Sequence, residues 1–163
     1  MRVEVLVLSI AAGALAHAAT LDDNPCQDGD GMVVATGTRR LFLCDNGQAR
    51  AEFRVALGSG GLGKQRQGDR RTPLGRYALG VPRRSPSFGV FVPVGYPTAA
   101  QAQAGYTGGA IGVHGPRREF VGAGLLNVVA DWTAGCIAVA SDREIGDIAA
   151  WVRARPHPTI RIQ

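Results

Sequence analysis

The stretch from Met32 to Leu57, MVVATGTRRLFLCDNGQARAEFRVAL, decides the fold class. Met32 to Ala35 and Arg40 to Cys44 are short runs rich in β-branched and apolar residues, joined by a turn at Gly37. Asn46-Gly47 follows, the dipeptide that best tolerates the two left-handed residues of a tight hairpin. Ala49 to Leu57 supplies a third strand. Three strands on tight turns predict an antiparallel meander.

Outward from this stretch the chain stays rich in turns. Its 163 residues include 23 glycines, its aromatic content is 6%, and its mean hydropathy is near zero, which suits one globular, mainly β domain. Gly58 to Arg71, GSGGLGKQRQGDRR, is glycine-rich and basic but lacks a Gly-Lys-Ser/Thr step, so it reads as a surface loop and not a phosphate cradle. Thr72-Pro73-Leu74-Gly75 is a proline-initiated turn before a strand over Arg76 to Val81. Pro82 to Gly109 reads as irregular, with a strand around Val90 to Val94. Ala110 to His114 reads as a buried strand delivering the histidine at its end. Ser141-Asp142-Arg143-Glu144 is a capping-box pattern, and Ile145, Ile148, Ala149 and Val152 recur at helical spacing behind it. Pro156 ends that helix, and Thr159 to Ile162 returns as a final strand.

The first residues point to export. Met1-Arg2 precedes an apolar run from Val5 to Ala16, and Ala16-His17-Ala18 fits a small-residue cleavage site, so residues 1–18 read as a signal peptide. The run is shorter than the roughly 20 apolar residues of a membrane span and longer than most strands, which disfavours a retained anchor or a first strand. Thr20 to Gly31 is polar and acidic, an N-terminal loop within 19–31, and the globular domain occupies 32–163. In an oxidising compartment two of three cysteines are expected to pair. Cys26 and Cys44 lie 18 residues apart on either side of a β segment, which leaves Cys136 free; three unpaired buried cysteines are the alternative. No metal-ligand spacing of Cys or His occurs.

The formal net charge of +5 arises from 17 arginines and one lysine, Lys64. The arginines lie in scattered pairs without interleaved aromatics, which argues against nucleic acid and for an anionic cell envelope. The chemistry-bearing segment is Ile111 to Val139, IGVHGPRREFVGAGLLNVVADWTAGCIAV. A cysteine nucleophile needs a base, because the neutral thiol reacts poorly. Cys136 is preceded by Gly135, whose amide can approach a substrate carbonyl closely, and Thr133 offers a hydroxyl in the same turn. His114 precedes Gly115-Pro116, so the Gly115 carbonyl can hold one imidazole nitrogen in place of an acidic third member. On spacing alone, a satisfied strand histidine and a buried small cysteine remain open readings. His157, between Arg155 and two prolines, reads as structural or surface.

Together these residues resemble the L,D-transpeptidase catalytic domain of the YkuD type. His114 followed by Thr133-Ala134-Gly135-Cys136 is similar to that family's histidine, spacer and Ser/Thr-His-Gly-Cys motif. Gly68-Asp69-Arg70-Arg71-Thr72-Pro73-Leu74-Gly75-Arg76-Tyr77 is similar to its Gly-Asp-x-x-Thr-Pro-x-Gly-x-Tyr segment, and Val55-Ala56-Leu57-Gly58 to the strand before it. The resemblance spans Met32 to Gln163. It implies a mainly β, antiparallel β-sandwich with one or more packed helices (α+β). It further implies Cys136 as nucleophile, His114 as its partner, and the Gly135 and Cys136 amides as oxyanion donors. Asp131, Trp132 and Thr133 then lie at the substrate. The implied substrate is the peptidoglycan stem peptide, handled outside the cytoplasm by a monomer without cofactor. Its outcomes are a 3→3 cross-link or protein attachment to the wall when an amine resolves the acyl-enzyme, and carboxypeptidase or amidase action when water does. An inactive peptidoglycan-binding module is the alternative from another class. Ala134 stands where the family has histidine, and Ala138 where it has arginine or asparagine; Asp131-Trp132-Thr133-Ala134-Gly135-Cys136 resembles a divergent branch that also cuts wall bonds.

Overall fold

The computed structural model describes residues 24–163, so the signal peptide read over residues 1–18 lies outside the described residues. The meander is present: β1 (Gly31–Ala35) pairs antiparallel with β2 (Arg40–Asp45), and β2 with β3 (Gln48–Ala56). Asn46 and Gly47 both take positive φ, 52° and 70°, which is the left-handed pair a two-residue hairpin requires. In the β1–β2 turn the left-handed residue is Arg39 (φ 52°), not Gly37. Cys26 and Cys44 form a disulfide with a Cα–Cα separation of 5.4 Å. It ties the segment before β1 to β2, and both cysteines are fully buried against Val33.

Beyond the meander come β4 (Gly75–Ala78), β5 (Arg83–Ser85), β6 (Gly89–Pro93), the short helix α1 (Ala99–Gln103) and β7 (Gly112–His114). An irregular 3-10 segment (Arg118–Val128), β8 (Ile137–Val139), helix α2 (Asp142–Arg153) and β9 (Thr159–Ile162) complete the chain. Among the described residues the strands form one nine-stranded sheet in the order β4-β9-β1-β2-β3-β8-β7-β6-β5, curled into a half-barrel. The mainly β architecture with packed helices is as expected. Two pairs, β1 with β9 and β7 with β8, are parallel, so the sheet is mixed and not wholly antiparallel. A parallel pair requires a crossover; for β7 and β8 it runs through the 3-10 segment, while α2 carries the chain from β8 to β9 across the sheet.

Ser141 caps α2 by accepting from the Glu144 amide at 3.3 Å. The Glu144 carboxylate does not return to the cap residue. It accepts from the Ala140 amide at 2.7 Å, one residue earlier, so the capping box is only half formed. Ile145, Ile148, Ala149 and Val152 are buried and join Met32, Val34, Leu41, Val55, Val113, Ile137 and Ile160 in the main core. A smaller cluster, Ala56, Val128, Ala138 and Ala140 with Trp132 packed against it, is formed where β3 and β8 meet the 3-10 segment. This smaller cluster adjoins the Cys-His segment. The expected strand over Arg76 to Val81 ends at Ala78, and that over Ala110 to His114 begins only at Gly112.

Candidate active site

His114 and Cys136 approach through β7 and β8. The parallel register pairs Val113 with Ile137 and His114 with Ala138. Because side chains alternate along a strand, Val113 and Ile137 enter the main core together while His114 shares the opposite face with Ala138. Cys136 immediately precedes β8, two residues before Ala138. No hydrogen bond joins thiol and imidazole among the described residues. The thiol instead donates to the Ala110 carbonyl at 3.5 Å.

The imidazole is held on several sides. Its Nδ1 lies 2.7 Å from the Gly115 carbonyl, which can only accept, so Nδ1 carries the proton and Nε2 presents a lone pair. Phe88 stacks on the ring with centroids 3.8 Å apart, Phe91 lies beyond at 6.2 Å, and Trp132 meets it edge-on at 5.8 Å. The ring is 1% exposed. This burial lowers its pKa to about 4; the Gly115 bond opposes the shift and the charge of Arg117 adds to it. Burial likewise raises the Cys136 pKa, against a bond from the Gly112 amide and the charge of Lys64, which both lower it. The resting pair is therefore a neutral thiol beside a neutral imidazole, and proton transfer must accompany attack.

The turn before Cys136 is built from backbone closures. Gly135 has φ 124°, and a Cβ there would stand 2.5 Å from the Arg71 carbonyl oxygen and 3.1 Å from Ile111. Only glycine fits. The Thr133 hydroxyl is 2% exposed; it donates to the Cys136 carbonyl at 2.7 Å and accepts from the Gly135 amide at 3.1 Å. The Gly135 amide is thus engaged inside the turn, and in this geometry it is not free as an oxyanion donor. Asp131 also faces inward, accepting from the Leu57 amide at 2.9 Å with Arg39 3.9 Å away. Of the three residues expected at the substrate, Trp132 alone lines open space. With Arg117, Phe120, Leu126, Asn127 and Val129 it borders a mostly apolar groove of about 570 Å³. Its Nε1 donates to the Asn127 carbonyl at 2.8 Å. Leu126 is 72% exposed at the rim.

Sequence reading missed what stands behind this turn. The Gly58–Arg71 tract is mostly exposed, as a surface loop should be, but Gly58 and Lys64 within it are buried. Gly58 bridges Thr133, the Gly58 amide donates to Thr72 Oγ1 at 2.8 Å, and Lys64 is 4% exposed. Lys64 Nζ donates to Asp69 Oδ1 at 2.8 Å and to the Arg66 carbonyl at 3.1 Å. The available signal was compositional: Lys64 is the one lysine in a chain whose other basic side chains, histidines aside, are all arginine. Among the described residues, no group of three or more His, Cys, Asp or Glu side chains gathers as a metal cage.

The comparisons agree with this architecture. The sequence model of the L,D-transpeptidase catalytic domain (YkuD) matches residues 30–160. The helical cell shape determining protein Pgp2 from Campylobacter jejuni superposes with a TM-score of 0.64 at 25% identity, over 87% of this chain and 51% of that one. Bd1075 from Bdellovibrio bacteriovorus gives 0.58 at 20% identity, over 82% and 47%. An L,D-transpeptidase from Xylanimonas cellulosilytica gives 0.52 at 14%, over 83% and 61%, a likeness of fold alone. The chain spans about half the length of the first two of these proteins. No curated protein matches it at a significant level. With a family match over most of its length and the same mixed, helix-packed sheet, the chain belongs to the L,D-transpeptidase catalytic domain (YkuD) family.

Proposed function

We propose that the protein is an exported cysteine acyltransferase of peptidoglycan stem peptides, with Cys136 as nucleophile and His114 as base. One observation supports the reading: β7, which ends at the family's histidine, pairs in parallel with β8, which the family's cysteine immediately precedes, and Nδ1 of His114 is held by the Gly115 carbonyl so that Nε2 is the nitrogen left for a base. In the proposed reaction Cys136 Sγ attacks the carbonyl of the diamino acid while Nε2 takes the thiol proton. The bond to the terminal D-alanine breaks, its nitrogen receives that proton, and a thioester remains on Cys136. The Gly115 carbonyl supports the imidazolium in passing. The Cys136 amide is the proposed oxyanion donor, joined by that of Gly135 once the substrate competes with Thr133 for it. An amine from a second stem then gives a cross-link, and water gives a shortened peptide. Export is supported by the Cys26–Cys44 disulfide. A part in cell shape is supported by the likeness to Pgp2.

Incubation with diamino-acid tetrapeptide muropeptides, followed by mass spectrometry, tests the proposal. Cross-linked dimers are expected for transfer, and tripeptides alone would make the enzyme a carboxypeptidase. Cys136→Ala should abolish both products and leave the melting temperature within a few degrees of wild type. If neither product forms with the wild type, and Cys136→Ala binds sacculi as tightly, the chain is a binding module.

A further inference from the structure

The catalytic pair as folded lacks a cation of its own. His114 is buried between aromatic rings, and that environment disfavours imidazolium. A thiolate on Cys136 before any imidazolium forms therefore gains from positive charge elsewhere, and Lys64 is a buried cation in the adjoining loop whose charge favours that thiolate. Two strips of backbone connect the residues. The Gly108 to Ala110 connector lies against both: a Cβ on Gly108 would meet Lys64 Cε at 3.4 Å, and the Ala110 carbonyl accepts from the Cys136 thiol. Ala110 holds φ 53°, a left-handed conformation that alanine adopts only under constraint. On the other side the Arg71 carbonyl presses on Gly135, and the Arg71 amide donates to Asp69 Oδ1 at 3.1 Å.

Asp69 is the counter-charge. Its Oδ1 takes Lys64 and Arg71, and its Oδ2 accepts from the Gln65 and Arg66 amides, both at 2.9 Å. Burial acts to raise its pKa, but these four bonds outweigh it and hold the carboxyl well below its usual range. The Tyr96 hydroxyl donates to the Lys64 carbonyl at 3.1 Å, and Thr107 accepts from the Gln67 amide at 3.0 Å, so the lysine backbone is pinned too. The other charged groups nearby hold partners of their own: Asp131 the Leu57 amide, Arg71 Nη1 the Leu62 carbonyl and Arg70 Nε the Ser59 hydroxyl, while Arg117 lies over Trp132 and its charge bears on His114. Lysine suits the slot because its ammonium is a compact point charge, whereas a planar guanidinium needs a fork of acceptors.

Resting on Cys136 as the nucleophile, we propose that Lys64 is a positioning residue whose ammonium favours the Cys136 thiolate, and that Asp69 sets how much of that charge the sulfur feels. The two members of one ion pair then act on the thiol in opposite directions. If the pair only held the loop in shape, removing either would disturb the site in the same direction.

Alkylation of Cys136 by iodoacetamide, measured against pH in the full chain and located by mass spectrometry, separates these cases. Lys64→Met should raise the midpoint by about one pH unit and slow labelling near neutrality about tenfold. Asp69→Asn, which keeps an acceptor for the loop amides, should lower the midpoint. Midpoints that do not move, or that move the same way in both variants, overturn the proposal. Circular dichroism confirms folding; if Lys64→Met does not fold, the direction of the Asp69→Asn shift decides alone. Labelling needs no substrate, so it is independent of the enzymatic reading. Absent turnover with opposed midpoints would sink the acyltransferase assignment only, and turnover with unmoved midpoints would sink this inference only.

Discussion

Two parts of the sheet are built by different rules. On one side β1, β2 and β3 run five to nine residues and pair in sequence order, and a disulfide ties β2 to the segment before β1. On the other, β5, β7 and β8 are three residues each, and the segments between them carry Phe88, Trp132 and the 3-10 stretch that surrounds His114. The meander is specified by neighbours in the chain, with apolar alternation and a hairpin that closes itself. The site is specified by segments far apart in sequence: the Arg71 carbonyl shapes Gly135, and the Leu57 amide holds Asp131. A region of the first kind tolerates local damage, because its ladder can re-form. In the second kind one displaced backbone atom moves the nucleophile.

That contrast can be broken most forcefully at Gly135. Gly135→Ala adds a Cβ where the Arg71 carbonyl already stands and strains a positive φ. A loss of more than about 3 kcal/mol in denaturant midpoint analysis is expected, with acyl transfer abolished. A neutral result would mean that the turn has slack and that the tertiary account of the site is mistaken. The matching insult to the meander is Cys26→Ala/Cys44→Ala. It should cost about 3 kcal/mol on the chain-entropy account, yet leave the labelling rate of Cys136 at its wild-type value. Coupled loss of both would show that the two regions are not independent.

The third prediction uses protons. The His114 pKa in the folded chain is lowered to about 4 from an ordinary 6.5, chiefly by burial, so its neutral form contributes stability that is fully present above the ordinary value. That contribution is lost as pH falls toward the folded value, because the unfolded chain takes up the proton first. Between about pH 7.5 and about pH 5 the loss should be about 2 kcal/mol. His114→Gln should flatten that part of the profile, and an equal slope in the variant would locate the effect elsewhere. Asp69, held low by its four bonds, adds its own loss only in the more acidic range.

Legibility followed the same division. Asn46-Gly47 was readable because a two-residue hairpin needs two left-handed residues and few dipeptides supply them. Ser141 was readable as a cap, although the pattern did not say that Glu144 would reach Ala140 instead. β5 escaped notice because Arg83-Arg84-Ser85 carries no apolar period; its pairing with Gly89–Phe91 comes from position at the sheet edge. β8 was too short to distinguish from a buried turn. The groove beside Trp132 was also illegible, since Phe120, Leu125 and Leu126 look like core residues and instead remain exposed on an irregular segment.

What the sequence determined by itself was the mainly β class, the meander, the helix that begins after Ser141, the pairing of Cys26 with Cys44, and the candidacy of His114 and Cys136. Those features rest on local torsional preferences, periodicity and a small number of reactive residues, all of which survive in a linear string. The tertiary structure alone decided that β7 and β8 run parallel, so that His114 pairs with Ala138, two residues after the cysteine. It also decided that Thr133 and Asp131 are occupied by backbone, that the imidazole is buried neutral, and that the one lysine lies buried behind the turn. These depend on register and on burial between distant segments, and a spacing in sequence does not encode a distance in space.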